Sequence, residues 1–257
     1  MMSGRCVPWV MTTSADRFER QSGYVLHSRP YRETSALVDY FSQQQGLVRA
    51  VVKGVRGARS KQRMLTQPFQ LMELNWRGRG ELKTLLSGEP MGSLSLLQGR
   101  ALWCGLYLNE LTLRLIPPAD PFPKLFAYYQ LALERLTDPQ QQEPVLRIYE
   151  RQLLQQLGLG IDFDCCLNDQ SIQAESAYRL DPHQGFIRSR QMESGGYQGR
   201  ELLAIARDDF QDEEVRRTAK RLMRSLLAVH LGDRPLRSRE LFQASPVAPH
   251  PPQEALS

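Results

Sequence analysis

The segment GLVRAVVKGVRGARSKQRM, residues Gly46–Met64, combines a predicted β-strand with a strongly basic loop. Small and β-branched residues follow Gly46 and predict a strand over Leu47–Val52. Glycines then interrupt the pattern, and no carboxylate occurs between Asp39 and Glu73 to balance the cations of the segment. Those cations are Arg49, Lys53, Arg56, Arg59, Lys61 and Arg63. Six positive charges that repel one another are typical of a solvated loop or of a surface that meets a polyanion.

Four other short strands flank this segment and predict a barrel. They are separated by turn residues, among them Pro30, Gln43–Gly46 and the glycine turn Arg77–Gly80. The predicted strands cover Gly23–Arg29, Ser35–Phe41, Pro68–Trp76 and Glu81–Gly88. Short, evenly spaced strands without a strong helix between them are typical of small barrels. We therefore expect residues 21–92 to form a five-stranded OB-fold β-barrel, with a six-stranded or SH3-like barrel as the alternative.

After Leu94 the hydrophobic pattern changes from that of strands to that of helices. Apolar residues recur every three or four positions in several segments, and prolines or glycines end them. The predicted helices are Leu97–Ile116, Pro121–Leu136, Glu143–Gly160 and Asp208–Gly232. The first three have short connections and are expected to pack as a bundle against one another and against the barrel. The predicted fold class is α+β, in which an OB barrel precedes an α-helical domain over residues 93–242.

Three parts of the chain lack a regular pattern. Residues 161–197 are predicted to form an irregular insertion, in which the alternation of AYRLDPHQGFIRS (Ala177–Ser189) supports a hairpin. Residues 1–20 are predicted to be a flexible extension, with Met11 as an alternative start. The proline-rich residues 243–257 are predicted to be a disordered tail.

The positive charge of the chain is concentrated in the predicted barrel. The whole sequence of 257 residues has a formal net charge of +5 and a pI near 9.1. Residues 1–90 hold 14 Lys and Arg against 7 Asp and Glu, whereas the remainder holds 19 against 21. A basic N-terminal part on a nearly neutral body indicates that the barrel meets phosphate.

The barrel brings the basic segment near two other groups of cations. If these side chains share one face, they follow a phosphate backbone through sequence-independent contacts. The candidate nucleic-acid-binding residues are Arg29, Arg32, Lys53, Arg56, Arg59, Lys61, Arg63, Arg77, Arg79 and Lys83. Most aromatic residues among them are expected to fill the barrel core. Tyr31 is the candidate for base stacking, because it follows Pro30 in a predicted turn.

The last long helix carries a second basic face. Its predicted buried stripe consists of Val215, Ala219, Leu222, Leu226 and Val229. The opposite face carries Arg216, Arg217, Lys220, Arg221 and Arg224. These cations are a candidate extension of the nucleic-acid surface or a receptor for an acidic peptide.

No arrangement of residues indicates catalysis or a cofactor. The four histidines are scattered, and neither a glycine-rich phosphate loop nor a nucleophile elbow is present. The four cysteines include no CxxC pair, so a structural zinc site of the usual spacing is not expected. No signal peptide or membrane-spanning stretch is apparent. We expect a cytoplasmic, nucleoid-associated protein that is not an enzyme and binds no cofactor or metal.

Four strings of residues, in order along the chain, resemble the RecO family of bacterial recombination mediators. They are YVLHSRPYRETSALVDYFSQQQGLVRAVVKGVR (Tyr24–Arg56), WRGRGEL (Trp76–Leu82), GLYLNELTLRLIPPADPFPKLFAYY (Gly105–Tyr129) and KRLMRSLLAVHLGDRPLRSRELF (Lys220–Phe242). The resemblance implies an N-terminal OB barrel followed by a helical domain.

The resemblance also implies a function in DNA repair and recombination. Members of this family bind single- and double-stranded DNA, anneal complementary strands, and help load RecA onto strands coated with single-strand-binding protein in the RecF pathway. The implied partners are DNA, RecR, the acidic C-terminal tail of single-strand-binding protein and, indirectly, RecA. Some members have a four-cysteine zinc site after the third helix, where this chain keeps only Cys165 and Cys166. The alternatives are a protein-interaction scaffold with incidental DNA contact and a nucleic-acid-processing enzyme.

Overall fold

The N-terminal part of the chain is a closed barrel of five strands, paired in the order β1-β2-β3-β5-β4. The computed structural model describes residues 20–55, 57, 61–92, 96–167 and 169–242, except for the side chain of Lys61. The strands are β1 (Gln21–Tyr31), β2 (Ser35–Ser42), β3 (Gly46–Val52), β4 (Met72–Arg77) and β5 (Leu82–Pro90). Only β3 and β5 pair in parallel, and the other neighbours are antiparallel. The predicted five-stranded barrel is confirmed.

Alternating side chains fill the inside of the barrel, and a 3₁₀ helix (Lys61–Thr66) packs on it. The inward residues of β3 are Val48, Ala50 and Val52. Tyr40 and Trp76 pack inside with their ring centroids 5.9 Å apart. The Tyr40 hydroxyl donates a 2.8 Å hydrogen bond to the carbonyl oxygen of Leu65, which fixes the 3₁₀ helix against the barrel core.

β1 is longer than predicted, because Pro30 does not end it. Pro30 pairs with Ala36, and Tyr31 then pairs with Ser35. On its other edge, β1 pairs with β4 only over Gln21–Gly23. The missing N–H of Pro30 therefore removes no ladder hydrogen bond, which is the situation in which a strand tolerates proline.

Helices and a small second sheet form the rest of the described chain. The helices are α1 (Gly99–Leu115), α2 (Pro123–Arg135), α3 (Gln142–Gln156), α4 (Gly199–Ala206), α5 (Glu213–Leu231) and α6 (Ser238–Leu241). The sheet has the order β10-β8-β9-β6-β7. Its strands are β6 (Cys165–Cys166), β7 (Gln170–Ser171), β8 (Ala177–Asp181), β9 (Gly185–Ser189) and β10 (Tyr197–Gln198). β8 and β9 form a hairpin. The very short strands β10 and β6 pair with it, and β7 pairs with β6; these pairings were not predicted.

The start of α5 follows from its charge pattern. The Asp212 carboxylate accepts a 2.8 Å hydrogen bond from the backbone N–H of Glu214, which caps the helix. Glu213 and Glu214 occupy the first turn, where the helix dipole favours negative charge. The buried stripe contains four of the predicted residues, but the prediction for Val229 was wrong, since its side chain is 40% exposed on the last turn.

The outer side of the barrel and the helices share one apolar core, which is separate from the core inside the barrel. Tyr24 and Phe41 project from the outer side of β1 and β2, and each ring centroid lies 5.4 Å from that of Phe126 in α2. Phe69 leaves the predicted fourth strand with φ 70 and packs on α1, so β4 begins only at Met72. A Cβ atom on Gly105 of α1 would lie 2.8 Å from the Phe69 ring. Because glycine has no Cβ atom, the Phe69 ring can approach α1 closely at this position.

Asn109 of α1 joins the backbone of the barrel to α2. The β1–β2 ladder shifts register between Val25 and His27, and the Asn109 Nδ2 group donates a 3.0 Å hydrogen bond to the carbonyl oxygen of Leu26 at this bulge. The Tyr129 hydroxyl donates to Asn109 Oδ1 at 2.5 Å. Burial raises the pKa of Tyr129 well above its ordinary value, so the hydroxyl remains a donor.

The loop between α1 and α2 also contacts the start of β3. The backbone N–H of Ala119 donates a 3.2 Å hydrogen bond to the carbonyl oxygen of Leu47. Gly46 has φ 65, and a Cβ atom there would lie 1.9 Å from the carbonyl oxygen of Asp120. The helices therefore cover one side of the barrel, from β1 and β2 to the first residues of β3.

We predict that Asn109→Ala lowers the free energy of unfolding by about 2–4 kcal/mol, because it leaves a buried carbonyl and a buried hydroxyl without their partner. Tyr129→Phe removes only one of the two hydrogen bonds and should cost about 1–2 kcal/mol. Urea unfolding measures both. Glu134→Ala, at an exposed position of α2, is the control. Equal losses for Asn109→Ala and Glu134→Ala would contradict the assigned role of the asparagine.

Candidate nucleic-acid interface

The side of the barrel away from the helices carries the predicted cations of β3 and β4. Because the alternate residues of β3 point inward, Arg49 and Val51 face outward, and Lys53 follows at the end of the strand. Val51 pairs with Thr84 of β5, and Thr84 pairs with Arg77 of β4. The register thus connects the outer face of β3 with Arg77 across a single intervening strand.

Lys53 and Arg77 line one groove of about 250 Å³. Its other lining residues are Val52, Gln62, Leu65, Thr84, Leu85 and Leu86. None of the described residues that line it is a carboxylate. The groove therefore combines apolar walls with two cations, which suits a ligand that has both an apolar face and negative charge.

Most of the described candidate cations have no acidic partner. Seven ion pairs are formed among the described residues, and they engage other cations of the chain. The candidate side chains without a described carboxylate partner are those of Arg29, Arg32, Lys53, Arg63, Arg77 and Arg79. All six residues are exposed. This arrangement leaves their charge available to an external anion.

Arg49, in contrast, is neutralised by the barrel itself. Its Nε atom lies 2.6 Å from Asp39 Oδ1, and His27 Nδ1 lies 3.7 Å from the other carboxylate oxygen. These three residues are cross-strand neighbours on β1, β2 and β3. Sequence reasoning treated Asp39 only as the last acid before the basic segment. The register of β2 with β3 shows that it balances one of the six cations.

Candidate residues in the β1–β2 turn and in the β4–β5 turn make different contacts. In the β1–β2 turn, Arg32 has φ 52 and its guanidinium lies 5.3 Å from the centroid of the half-buried Tyr31 ring. In the β4–β5 turn, Arg79 is exposed, whereas Lys83 donates a 3.2 Å hydrogen bond to the carbonyl oxygen of Gly78. Tyr31 is therefore covered in part by Arg32, and Lys83 stabilises its own turn.

The turns lie near opposite ends of the barrel. Trp76 Nε1 donates a 3.1 Å hydrogen bond to Gln45 Oε1, which places the β4–β5 turn beside the β2–β3 turn. The β1–β2 turn lies at the other end of β2, next to the end of β3, because Ala36 pairs with Val52. The groove between Lys53 and Arg77 connects the two groups of cations.

Three candidates of the basic segment cannot be placed on this face. Arg56 and Arg59 lie outside the described residues, and so does the side chain of Lys61. Arg63 is exposed in the 3₁₀ helix. The assignment of Arg56, Arg59, Lys61 and Arg63 to nucleic-acid binding stays a prediction.

The second basic face, on α5, is only partly available. Arg216 donates to the carbonyl oxygens of Phe210 and Gln211, and Arg217 pairs with Glu213. Arg221 donates to the carbonyl oxygen of Gly196 and lies 4.4 Å from the centroid of Tyr197. The two cations of this face without such a contact among the described residues are Lys220 and Arg224, both exposed.

The segment after the third helix holds two cysteines, Cys165 and Cys166, which are too few for a four-cysteine zinc site. Cys166 is buried, and Cys165 is half-buried beside Asp162. Partial desolvation and a hydrogen bond with Asp162 raise the pKa of the Cys165 thiol, which disfavours the thiolate that zinc requires. Among the described residues, no cluster of three or more His, Cys, Asp or Glu side chains could hold a metal ion. The expected absence of metal stays a prediction.

The most deeply buried carboxylate among the described residues has a structural position. Glu150 is fully buried between α1 and α3, and the Tyr107 hydroxyl donates a hydrogen bond to its Oε1 atom at 2.5 Å. Arg147 lies 3.0 Å from its other oxygen. Burial raises the pKa of Glu150, and the neighbouring Arg147 opposes this shift. The group joins two helices.

Comparison with known proteins assigns both parts of the chain. The family model described as Recombination protein O N terminal matches residues 17–94, and the one described as Recombination protein O C terminal matches residues 96–240. The chain belongs to the RecO family. This membership assigns it to DNA repair and recombination, and the closed barrel is the OB-fold domain of the family.

Named RecO relatives match most of the chain. A DNA repair protein RecO of Pseudomonas paraeruginosa is 49% identical over 222 residues, which cover 86% of this chain and 94% of the relative. One from Pseudomonas putida (strain ATCC 700007) is 48% identical, with coverage of 87% and 96%. One from Haemophilus influenzae is 43% identical, with coverage of 87% and 95%. Within the described part of this RecO family chain, no helix is both long and apolar enough to cross a membrane.

We predict that Arg221 and Arg224, three residues apart on α5, have different effects on stability. Arg221→Ala should lower the free energy of unfolding by about 1–2 kcal/mol, because it removes the interaction with the Tyr197 ring and the hydrogen bond to Gly196. Arg224→Ala should change it by less than about 0.5 kcal/mol. Thermal or urea unfolding of the two variants tests this difference. Equal effects would show that Arg221 is as free as Arg224.

Proposed function

We propose that this chain binds single- and double-stranded DNA through the outer face of its OB barrel, without reading the base sequence. The observation that carries the proposal is the set of exposed cations on the barrel that no described carboxylate neutralises. Cations bind the phosphate backbone by releasing counterions, which gives affinity independent of sequence and sensitive to salt. Membership in the RecO family supports DNA as the polyanion.

We propose strand annealing and RecA loading as the consequences of this binding. Two complementary strands repel each other, and a protein that neutralises phosphates while leaving the Watson–Crick edges free lowers that barrier. The family resemblance supports RecR and the acidic tail of single-strand-binding protein as partners, with RecA acting downstream. The exposed Lys220 and Arg224 on α5 are candidates to extend the DNA surface or to receive the acidic tail.

We propose that the chain acts without catalysis, as a mediator. The exposed candidate cations of the barrel region have no described carboxylate beside them that could act with them in catalysis, and the deeply buried Glu150 joins helices. A protein-docking role is the second candidate. It is favoured by an apolar groove on α2 and α3, whose lining includes Tyr128, Arg135, Ile148 and the 39%-exposed Leu131. In a scaffold of this kind the helices would bind protein and DNA contact would be incidental.

The proposal predicts that neutralising three unpaired barrel cations weakens DNA binding. The variant Arg29→Ala/Lys53→Ala/Arg77→Ala should reduce the slope of log affinity against log salt by about 0.7 for each single-strand phosphate that the protein no longer neutralises. Its affinity for a short single strand and its rate of annealing should fall together. Fluorescence anisotropy across a salt series measures the first, and a quenched-fluorophore annealing assay measures the second.

The matched control replaces three cations that are already paired with carboxylates. Arg20→Ala/Arg100→Ala/Arg217→Ala changes the net charge by the same amount but removes the partners of Glu73, Glu143 and Glu213. It should change the salt slope much less. Equal decreases for both variants would indicate a net-charge effect, and an unchanged affinity and slope for the first variant would favour the scaffold.

A further inference from the structure

β5 carries an extra residue at the rim of the groove between Lys53 and Arg77. Trp76 pairs with Leu85, whereas the preceding Asn75 pairs with Ser87, so the ladder passes over Leu86. Leu86 therefore has no partner on β4 and its side chain is 44% exposed. A β-bulge of this kind redirects one side chain, and bulges are frequent next to functional sites.

The bulge has costs that packing does not explain. It leaves the apolar side chain of Leu86 in water. Next to the bulge, the buried Oδ1 atom of Asn75, which does not line the groove, has no hydrogen-bond partner among the described residues. A buried acceptor without a partner costs about 1–3 kcal/mol. A strand that keeps such a feature beside two unpaired cations indicates a site that binds something.

The shape of the groove restricts its ligand. Leu86 provides exposed apolar surface and lies over the buried Leu65 and Val52 of the barrel core. Thr84 provides a hydroxyl, and Lys53 and Arg77 provide the charge. Its volume of about 250 Å³ is below the roughly 300–1,000 Å³ of pockets that enclose drug-sized ligands. A space of this size accommodates one flat ring. Lys53 and Arg77 can each pair with one group of a chain of negative groups.

The groove is preformed on rigid elements. Tyr40 holds the carbonyl of Leu65, and the Leu65 side chain packs on β5 where Gly88 has no Cβ. A Cβ atom at Gly88 would lie 2.7 Å from Leu65 Cδ2. These two contacts fix the 3₁₀ helix to β2 and to β5, so one wall of the groove is held by the barrel.

We propose that this groove holds one unpaired base of a DNA single strand, with Lys53 and Arg77 on the adjoining phosphates. This inference rests on the proposed DNA-binding function and deepens it. A base within a duplex is stacked and paired, so it cannot enter a lateral groove, whereas an unpaired base can be splayed out. Apolar walls accept the face of any base, so the site is tolerant of sequence. The groove thus gives the barrel a preference for single strands that phosphate contacts alone do not provide.

The test compares two exposed leucines of β5 on three DNA ligands. Leu86 lines the groove, whereas Leu82, four residues earlier and 47% exposed, does not. The ligands are a thymine oligonucleotide, an abasic strand of the same length and a duplex, each measured by fluorescence anisotropy at one salt concentration. Leu86→Ala should weaken binding of the thymine strand about fivefold, because less apolar surface packs on the base, and leave the abasic strand and the duplex unchanged. Leu82→Ala should affect none of the three.

The outcomes separate this inference from the proposed function. Unchanged binding of the duplex by Leu86→Ala shows that the variant is folded. Equal weakening on the thymine and abasic strands, or none on either, would overturn the base site. If the Arg29/Lys53/Arg77 variant still binds DNA weakly in that case, the proposed phosphate-binding face is supported and only the base site is rejected. If that triple variant binds all three ligands as the wild type does, the proposed function fails as well.

Discussion

The hydrogen bonds of Asn109 are the interaction on which the arrangement of the two parts depends. One amide group donates to a barrel carbonyl at the β1 bulge and accepts a hydrogen bond from the hydroxyl of Tyr129, among apolar side chains of β1, β2 and α2. Apolar packing alone permits several relative positions of the barrel and the helices. A buried amide favours one of them, because in the others it would be left without hydrogen-bond partners. Tyr24, Phe41 and Phe126 add the area that stabilises the contact. The barrel is thereby held in one orientation relative to the helices.

That orientation determines which surface of the barrel can function. The helices and the α1–α2 loop cover β1, β2 and the start of β3, and Gly46 is required where Asp120 approaches the strand. The outer sides of β4, β5 and the end of β3 remain free, and Lys53, Arg77 and Arg79 lie there or in the β4–β5 turn. Arg29 and Arg32 lie at the end of β1 and in the β1–β2 turn, and Arg63 lies in the 3₁₀ helix. Repulsion among such cations is tolerated because each is solvated, and a phosphate backbone relieves it. Packing on one side thus leaves the electrostatic surface open on the other.

The sequence predicted the barrel and the helices because their patterns are local. The sequence-based predictions were wrong or incomplete where a residue's role depends on a contact with a residue that is distant along the chain. Pro30 stays within β1 because no strand pairs with its other edge, Arg221 is occupied by Tyr197, and Asp39 neutralises Arg49 across a ladder. The cations could be identified from composition and spacing alone. The groove could not, since it depends on a bulge that exposes Leu86, and strand alternation does not reveal an inserted residue.

Hydrogen–deuterium exchange with and without a single-stranded oligonucleotide tests the central claim most directly, because it reports the DNA contact surface of the unaltered protein. The account predicts slower exchange on DNA binding in the end of β3, the 3₁₀ helix, the C-terminal half of β4 and β5. Segments of α1 and α2 that cover the other side of the barrel should exchange as before. Protection confined to α5 and the small second sheet, with none in β3 or β5, would contradict a DNA-binding barrel face.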